Sequence, residues 1–390
     1  MRILHVISSF RQAAGGPVLA LKETVARLRD LGAEPEVLCC DADPPDGDGA
    51  VQRVKTHVAK AGLPGLVGRT KRDIAEHVAG ADIVHVHGVW DPLLIIAARA
   101  ARGLGKPVVC TPHGMLSDWA IGQNRLRKAV YHAAFTGPML KRASAIHFIT
   151  AAEQRLAAKR APGGVRQFVV PIFPAEEFYR EPPSRDEALK YFPQVAADGP
   201  WVLFLSRIHP GKGLPQVIAA FSGVLRENPS AQLIIAGSGD AGYVTRMKRL
   251  VAQAGVTRSA HFVGMVGGPA KVALYRRAAL LAVPSSHENF GMVFAESLAC
   301  GTPVLLTPEV GTAGEIVGAG AGFLTGTDEA SVARDLAAAL RDKARLEEMG
   351  AAGRRWVLDY LRPERIAAQM LRNYDALLDG QASGPSQGRG

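Results

Sequence analysis

The sequence predicts an α/β protein made of two doubly wound domains that face a cleft. Short apolar runs rich in Val, Ile and Leu alternate with longer segments of helical periodicity, as buried parallel strands and their covering helices do. The alternation stops near residues 172–185, where prolines cluster, and then starts again. At 390 residues, the chain is long enough to bury two cores.

The order of the elements supports this prediction. The first apolar run, 3–7, is too short for a secretory signal and is typical of a buried first strand. A helix at 18–31 follows, and then strands at 36–40, 83–87, 107–111, 145–149 and 167–170. In the second half, we expect strands at 201–206, 232–236, 261–263, 280–283, 303–306 and 322–324, with helices at 215–226, 241–254, 269–278, 289–299, 329–349 and 364–378.

Positive charge is concentrated in one part of the chain. The sequence has 46 Lys and Arg against 36 Asp and Glu, a net charge of +10. Between residues 92 and 175 there are 12 basic residues and two acidic ones, so this stretch accounts for the whole excess. In its densest part, 124–142, basic and apolar residues alternate at helical spacing. Such a pattern is typical of adsorption to an anionic membrane surface, or of a solvated helix face over a core.

Composition excludes several classes of protein. No run free of charged side chains approaches the ~20 residues that cross a bilayer. The sequence has no DNA- or RNA-reading motif and only 6% aromatic residues, so we expect no nucleic-acid partner. Four cysteines without CxxC spacing suit a reduced cytoplasmic protein and do not indicate zinc. Segment 124–142 would then give peripheral contact with the inner face of the plasma membrane.

Two carboxylates stand eight residues apart in the second half, Glu288 and Glu296. Glu288 precedes a predicted helix and can accept hydrogen bonds from sugar hydroxyls, while Glu296 can bind the hydroxyls of a ribose. The backbone N–H groups of Phe290, Gly291 and Met292 at the start of that helix suit a diphosphate. The alternative is an amphipathic helix with ordinary surface glutamates.

Two cations follow the first strand of the second half, Arg207 and Lys212. Both can reach one phosphate from a glycine-containing loop, which would stabilise a departing diphosphate. In the first half, Gly15 and Gly16 lie between a strand and a helix, where backbone can approach a ligand. Alone, the glycine pair is a weak signal.

Histidines end two strands of the first half. His85 and His87 point to one side of a strand, but no third ligand follows in the expected cluster, so we predict no metal. His113 follows the next strand, and we expect it to make a polar contact in the cleft. Residues 237–242 match G-x-G-x-x-G. An NAD site also requires an acidic residue about 20 positions further on, and the sequence has none there. We interpret Gly237 and Gly239 as sites of close approach to a nucleotide.

Taken together, these motifs resemble the retaining glycosyltransferases of family 4, also called group 1, with the GT-B fold. The resemblance covers nearly the whole chain and is strongest over residues 200–325. It implies two Rossmann-like domains: an acceptor-binding one at 1–178, joined by a C-terminal helix at 362–380, and a nucleotide-sugar-binding one at 179–361. Residues 381–390 are expected to form a disordered tail.

The resemblance also implies roles. His113, Glu288, Arg207 and Lys212 would be catalytic, with His113 beside the transferred sugar, and no metal or other cofactor would take part. The donor site would comprise Gly15, Gly16, Arg207, Lys212, Gly237, Gly239, Glu288, Asn289, Phe290, Gly291, Met292 and Glu296. At residues 169–174, the linker lacks the Asn-Gly-Val/Ile-Asp element of many relatives.

The expected function is transfer of a hexose from a UDP- or GDP-sugar to a saccharide or polyprenyl-diphosphate-linked acceptor. Residues 113–120 resemble members that build bacterial surface polysaccharides or lipopolysaccharide. Two alternatives stay open: a dinucleotide-dependent oxidoreductase, and a non-catalytic, membrane-associated nucleotide-sugar binder.

Overall fold

The computed structural model describes residues 1–11, 16–42, 51–53 and 68–382. It divides into two compact units, of which the first comprises Met1–Phe173 with Pro363–Gly390 and the second Pro174–Arg362. Each unit is built on a parallel sheet with helices around it, so the predicted α/β class is confirmed.

The first unit has a seven-stranded parallel sheet in the order β5-β3-β1-β6-β7-β8-β9, and β2 pairs with β4 in a separate ribbon. Its strands are β1 (Arg2–Ile7), β2 (Ser9–Phe10), β3 (Glu34–Cys39), β4 (Asp41–Ala42), β5 (Val51–Arg53), β6 (Ile83–His87), β7 (Val108–Thr111), β8 (Ala145–Phe148) and β9 (Arg166–Val169). Its first seven helices are α1 (Gly16–Asp30), α2 (Gly68–Gly80), α3 (Pro92–Gly103), α4 (Asp118–Gly122), α5 (Arg125–Tyr131), α6 (Gly137–Lys141) and α7 (Ala151–Ala157). A π-helical turn, His132–Thr136, joins α5 to α6.

The second unit has a six-stranded parallel sheet in the order β12-β11-β10-β13-β14-β15. Its strands are β10 (Trp201–Leu205), β11 (Gln232–Ala236), β12 (Ala260–Gly264), β13 (Leu280–Ala282), β14 (Val304–Leu306) and β15 (Gly322–Leu324). Its helices are α8 (Glu187–Tyr191), α9 (Leu214–Glu227), α10 (Ala241–Gln253), α11 (Gly268–Arg277), α12 (Met292–Ala299), α13 (Ala313–Gly318), α14 (Glu329–Arg341) and α15 (Lys343–Tyr360).

The single helix predicted at 329–349 was wrong. The chain forms α14 and α15 instead, with a break at Asp342, whose backbone is extended (φ −113°, ψ 86°). The Asp342 carboxylate accepts a hydrogen bond from the Arg345 backbone N–H at 2.9 Å and so caps the start of α15. The helical periodicity continues across this break, which is why the sequence pattern missed it.

The last helix, α16 (Pro363–Ala382), belongs to the first unit and packs against α1. It runs two residues into the segment predicted as a disordered tail, and residues 383–390 lie outside the described chain. No described helix has both the length and the apolar character needed to span a bilayer.

Both sheets reverse their strand order once, between β1 and β6 in the first unit and between β10 and β13 in the second. Strands around these points are almost entirely buried; all five residues of β10 and of β6, for example, are buried. In doubly wound sheets, ligands bind outside the carboxyl ends of the strands at such a reversal. The loops that follow β10 and β13 are therefore where a ligand is expected in the second unit.

Candidate active site

The loops after β10 and β13 meet through an ion pair between Lys212 and Glu288. The two side chains are 13% and 27% exposed, so the pair is largely withdrawn from solvent. The Ser286 backbone N–H also donates to the Gly211 carbonyl at 3.0 Å. Two motifs separated by more than 70 residues in the chain thus form one structure at the reversal of the sheet.

Arg207 lies five residues before Lys212 in the same loop, in the segment where the loops after β10 and β11 run together. The neighbouring Ile208 N–H donates to the Ser238 carbonyl at 2.7 Å, which holds the two loops side by side. Arg207 itself is exposed and forms no ion pair with the residues that the structure describes. Its guanidinium is therefore available to an anion.

Gly237 and Gly239 face protein backbone at close range. A Cβ on Gly237 would lie 1.9 Å from the Ser206 carbonyl oxygen, and one on Gly239 would lie 2.0 Å from that of Ile208. Gly237 also has a φ of 130°, which other residues rarely adopt. The contact between the β10 and β11 loops thus accounts for both glycines, and their contact with a nucleotide stays a prediction.

A third loop, after β14, fixes the backbone around Glu288. The Gly311 N–H donates to the Glu288 carbonyl at 2.9 Å, and the Thr312 hydroxyl donates to the Phe290 carbonyl at 2.7 Å. Gly291 (φ 82°) turns the chain into α12, which begins at Met292. The N–H groups of Phe290, Gly291 and Met292 donate to no carbonyl in the described chain. Phe290 is buried, while Asn289 and Met292 are half-buried.

Glu296 lies inside α12 and is only 4% exposed. Its Oε2 lies 2.7 Å from the Lys271 ammonium and accepts a hydrogen bond from the Tyr275 hydroxyl at 2.8 Å. Burial and the adjacent Glu296 carboxylate raise the pKa of Tyr275 well above its usual range, so this hydroxyl stays a donor. The predicted contact of Glu296 with a ribose stays a prediction. Sequence reasoning missed both partners, whose only signal was a Lys–Tyr pair one helical turn apart.

His113 follows β7 in the first unit, with a left-handed backbone (φ 52°) and a half-buried side chain. Its Nε2 lies 3.1 Å from Nδ1 of His87. The buried Glu153 carboxylate holds the turn, because it accepts from the N–H groups of Gly114 at 2.5 Å and Ile149 at 2.8 Å. Sequence reasoning missed Glu153. Gly16 starts α1, with no atom within 4 Å of where its Cβ would lie, and Gly15 lies outside the described residues.

One premise of the sequence analysis was wrong. A third imidazole does stand beside His85 and His87, because β1 pairs with β6 and places His5 opposite His85. Nitrogen atoms of the three residues lie within 4.8 Å of one another, close enough for a shared metal. However, Nδ1 of His85 is 2.6 Å from the Tyr374 hydroxyl and its Nε2 is 2.6 Å from that of Thr111. Both nitrogens of His85 are thus in use within the protein.

These imidazoles are held in the neutral form. Burial, and then the nearby His147, lowers the pKa of His5 and of His113 to about 3. Burial also lowers the pKa of His147 to about 4, against the effect of its hydrogen bond to Val170. For His85 and His87, burial and the neighbouring imidazoles bring the pKa well below the usual range. A protonated imidazole here would lack both water and a counter-charge.

Two family models match the chain. Residues 187–356 match the model described as glycosyl transferases group 1, and residues 15–172 match the one described as glycosyl transferase 4-like domain. The chain belongs to the group 1 glycosyl transferases. The resemblance stated from the sequence motifs is therefore confirmed.

Relatives of this glycosyltransferase extend over its whole length. The GDP-mannose-dependent alpha-(1-6)-phosphatidylinositol monomannoside mannosyltransferase of Mycobacterium tuberculosis is 28% identical over 96% of the chain and 99% of its own length. The GDP-mannose:cellobiosyl-diphosphopolyprenol alpha-mannosyltransferase of Xanthomonas oryzae pv. oryzae is 25% identical, over 87% of each. Sucrose-phosphate synthase from Thermosynechococcus elongatus superposes with a TM-score of 0.79 at 20% identity, over 97% of the chain and 99% of its own. This likeness confirms the GT-B fold with its two Rossmann-like domains.

Proposed function

We propose that this glycosyltransferase moves mannose from GDP-mannose to a lipid-linked saccharide, with retention of anomeric configuration and without a metal. The observation that carries the proposal is the Lys212–Glu288 ion pair at the reversal of the second sheet, together with the exposed Arg207 in the same loop as Lys212. GDP-mannose is chosen over a UDP-sugar because both full-length mannosyltransferase relatives are named for it.

The site suits a diphosphate that leaves during transfer. Arg207 and Lys212 supply two positive charges, and the N–H groups at the start of α12 supply further hydrogen-bond donors. These groups would stabilise the negative charge that develops on the diphosphate as the bond to the sugar breaks. No step in this account requires a metal ion.

Glu288 is suited to hold the sugar. One of its carboxylate oxygens pairs with Lys212, while the other has no partner in the described part of the chain. A carboxylate oxygen accepts strongly from a sugar hydroxyl, and the backbone bonds from Gly311 and to Glu309 fix its position. His113, from the first unit, would contact the transferred sugar as a neutral imidazole.

The lipid-linked acceptor is supported by the surface of α5. Leu126 and Val130, one turn apart, are 85% and 70% exposed, and Arg125 and Arg127 beside them are also exposed. A short helix that presents apolar and cationic side chains together favours adsorption to an anionic membrane. The two named relatives act on phosphatidylinositol- and polyprenol-linked acceptors. A role in cell-surface polysaccharide or lipopolysaccharide synthesis would follow.

The two alternatives predict different outcomes. An oxidoreductase would bind NAD(P)H, yet the glycines that suggested it are explained by the backbone of Ser206 and Ile208. A non-catalytic binder would bind a nucleotide sugar but neither transfer nor hydrolyse it. Activity therefore decides between the proposal and the binder.

The donor is tested first by thermal shift with GDP-mannose, UDP-glucose, ADP-glucose and NADH, and then by transfer to a polyprenyl-diphosphate-linked acceptor. Lys212→Ala and Glu288→Gln should each lower transfer by roughly 100-fold or more, because each removes charge stabilisation or sugar contact. Lys190→Ala is the matched control, since Lys190 forms an exposed pair with Glu187 in the same unit. Full transfer by the Lys212 variant would refute the proposal.

Membrane contact is tested by sedimentation with vesicles that contain anionic lipid. The double variant Leu126→Ser, Val130→Ser should bind less than the wild type, because it removes the two exposed apolar side chains of α5. Leu156→Ser, on α7 of the same unit and 51% exposed, is the control. Equal binding by all three proteins would contradict the membrane assignment of segment 124–142.

A further inference from the structure

Five imidazoles lie together at the carboxyl ends of β1, β6, β7 and β8: His5, His85, His87, His113 and His147. We call them the histidine cluster. Four of them are at most 8% exposed, and the roles proposed above use only His113. Their hydrogen bonds form two separate chains. Which atoms can donate fixes the direction of the first chain and couples the bonds of the second to one another.

The first chain has only one direction. The Val170 carbonyl can only accept, so Nε2 of His147, at 2.7 Å, carries a hydrogen. Nδ1 of a neutral His147 then accepts from the Thr111 hydroxyl at 2.8 Å. Thr111 has no second hydrogen, so it accepts from Nε2 of His85 at 2.6 Å, and Nδ1 of His85 accepts from the Tyr374 hydroxyl at 2.6 Å. His85 is thereby fixed in one tautomer.

The second chain joins His5, His87 and His113. Nδ1 of His5 lies 3.0 Å from Nε2 of His87, and Nδ1 of His87 lies 3.1 Å from Nε2 of His113. A neutral His87 has one hydrogen, so it donates to one neighbour and accepts from the other. The hydrogen on His87 therefore decides which nitrogen of His113 carries a hydrogen.

The two nitrogen atoms at the ends of this second hydrogen-bonded chain have no hydrogen-bond partner among the described residues. Nε2 of His5 and Nδ1 of His113 are buried and form no hydrogen bond with the described residues. A buried polar atom left in this way calls for an explanation. In His113, Nε2 is already bound to His87, so Nδ1 is the ring nitrogen left for a ligand. A substrate hydroxyl would complete its hydrogen bonding.

Ring packing holds His87 in place. The His85 ring stacks on the His87 ring with centroids 4.3 Å apart. The centroid of the His113 ring lies 5.4 Å from that of His87, with an angle of 25° between the two ring planes. Because the first chain fixes His85, the plane of His87 is fixed as well. The left-handed backbone of His113, anchored by Glu153, then presents its Nε2 to His87.

We propose that His87 is a positioning residue, which fixes the ring plane and the tautomer of His113 so that Nδ1 of His113 meets a hydroxyl of the transferred sugar. His5 completes the chain behind it. The proposal rests on the proposed function, since it assumes that a sugar binds beside His113. The reaction chemistry of the donor site is unchanged by it; His87 acts only through His113.

Three substitutions of one residue separate positioning from packing. In His87→Asn the amide replaces Nδ1 and keeps the bond to His113. In His87→Gln the amide reaches the place of Nε2 and keeps only the bond to His5, while His87→Leu removes both. With GDP-mannose and the lipid-linked acceptor, we expect the Gln and Leu variants to lose roughly 10- to 100-fold in kcat, with the donor KM changed less, because a misplaced contact group acts mainly on the chemical step.

The Asn variant is expected to keep kcat within a few-fold of the wild type. Equal losses in the Asn and Gln variants would assign His87 to packing alone and overturn the proposal. Wild-type kcat in the Leu variant would overturn it as well. Thermal unfolding of each variant shows whether the fold survives.

A second measurement needs no activity. In protein with ¹⁵N-labelled histidine, the two ring nitrogens of wild-type His113 should show the distinct shifts of one tautomer, assigned with His113→Asn. The same should hold for His87→Asn, whereas His87→Gln should show averaged shifts. A wild type that transfers no sugar but shows one His113 tautomer would refute the proposed function and keep the tautomer assignment. Averaged shifts in the wild type would overturn the assignment itself.

Discussion

Lowering the pH from about 7.5 to about 5.5 is expected to destabilise the first unit, because four imidazoles are buried there in the neutral form. His5, His85, His87 and His147 are at most 8% exposed. Burial lowers the pKa of His5 to about 3 and of His147 to about 4, and it brings the pKa of His85 and His87 well below the usual range. In the unfolded chain the same groups titrate near pH 6.5.

The sign follows from proton binding. Between the folded and unfolded pKa values, the unfolded chain binds more protons than the folded one, so the free energy of unfolding falls as the pH falls. The contribution of these groups to stability is therefore fully present above about pH 6.5 and is lost progressively down to about pH 3, the folded-state pKa of His5. Each such group contributes about 1.4 kcal/mol per pH unit. At about pH 5.5 the four together remove roughly 5 kcal/mol, a large part of the 5–15 kcal/mol of a typical domain.

Urea denaturation at a series of pH values measures this slope. His5→Asn removes one of the four groups but keeps an amide opposite His87, so its slope below pH 6 should be shallower by about 1.4 kcal/mol per pH unit. Leu156→Ser, at an exposed position on α7 of the same unit, removes no imidazole and is the control; its slope should match that of the wild type. A free energy of unfolding that stays constant between about pH 7.5 and 5.5 would refute the reasoning.

Two further predictions concern the second unit and the metal. Gly237→Ala should destabilise the protein by more than about 2 kcal/mol, since its Cβ would meet the Ser206 carbonyl. Gly255 also has a positive φ (72°) but lies in open space, so Gly255→Ala should cost less, and equal thermal unfolding shifts would contradict this. EDTA should leave the transfer rate unchanged, and a loss that a divalent metal restores would instead point to His5, His85 and His87 as ligands.

Much of the fold could be predicted because its cause is local. Short runs rich in apolar residues predicted β6 and β10, and all five residues of each strand are buried. The strands β11 and β15 begin and end at the predicted residues. Lys212 and Glu288 could also be found, since each belongs to a short motif of unusual composition. The break at Asp342 could not, because a capping aspartate leaves the apolar periodicity intact.

Contacts between side chains on different helices or strands could not be predicted from the sequence. Lys271 and Tyr275 meet Glu296 only because α11 packs against α12, and His5 meets His85 only because β1 pairs with β6. The β1–β6 pairing departs from the order of elements along the chain, and the α11–α12 packing decides which side chains of two successive helices meet. A neighbouring loop likewise accounts for the need for glycine at 237, while its contact with a nucleotide stays a prediction.

By itself, then, the sequence determined the α/β class, the family, and the residue types available to a sugar diphosphate, because apolar periodicity and short motifs are properties of contiguous residues. Only the tertiary structure decided which charges neutralise one another and which nitrogen atoms of the histidine cluster are hydrogen-bonded to one another. Those depend on distances of a few ångströms between strands that lie far apart in the chain, and on burial, which removes the water that would otherwise satisfy every polar group.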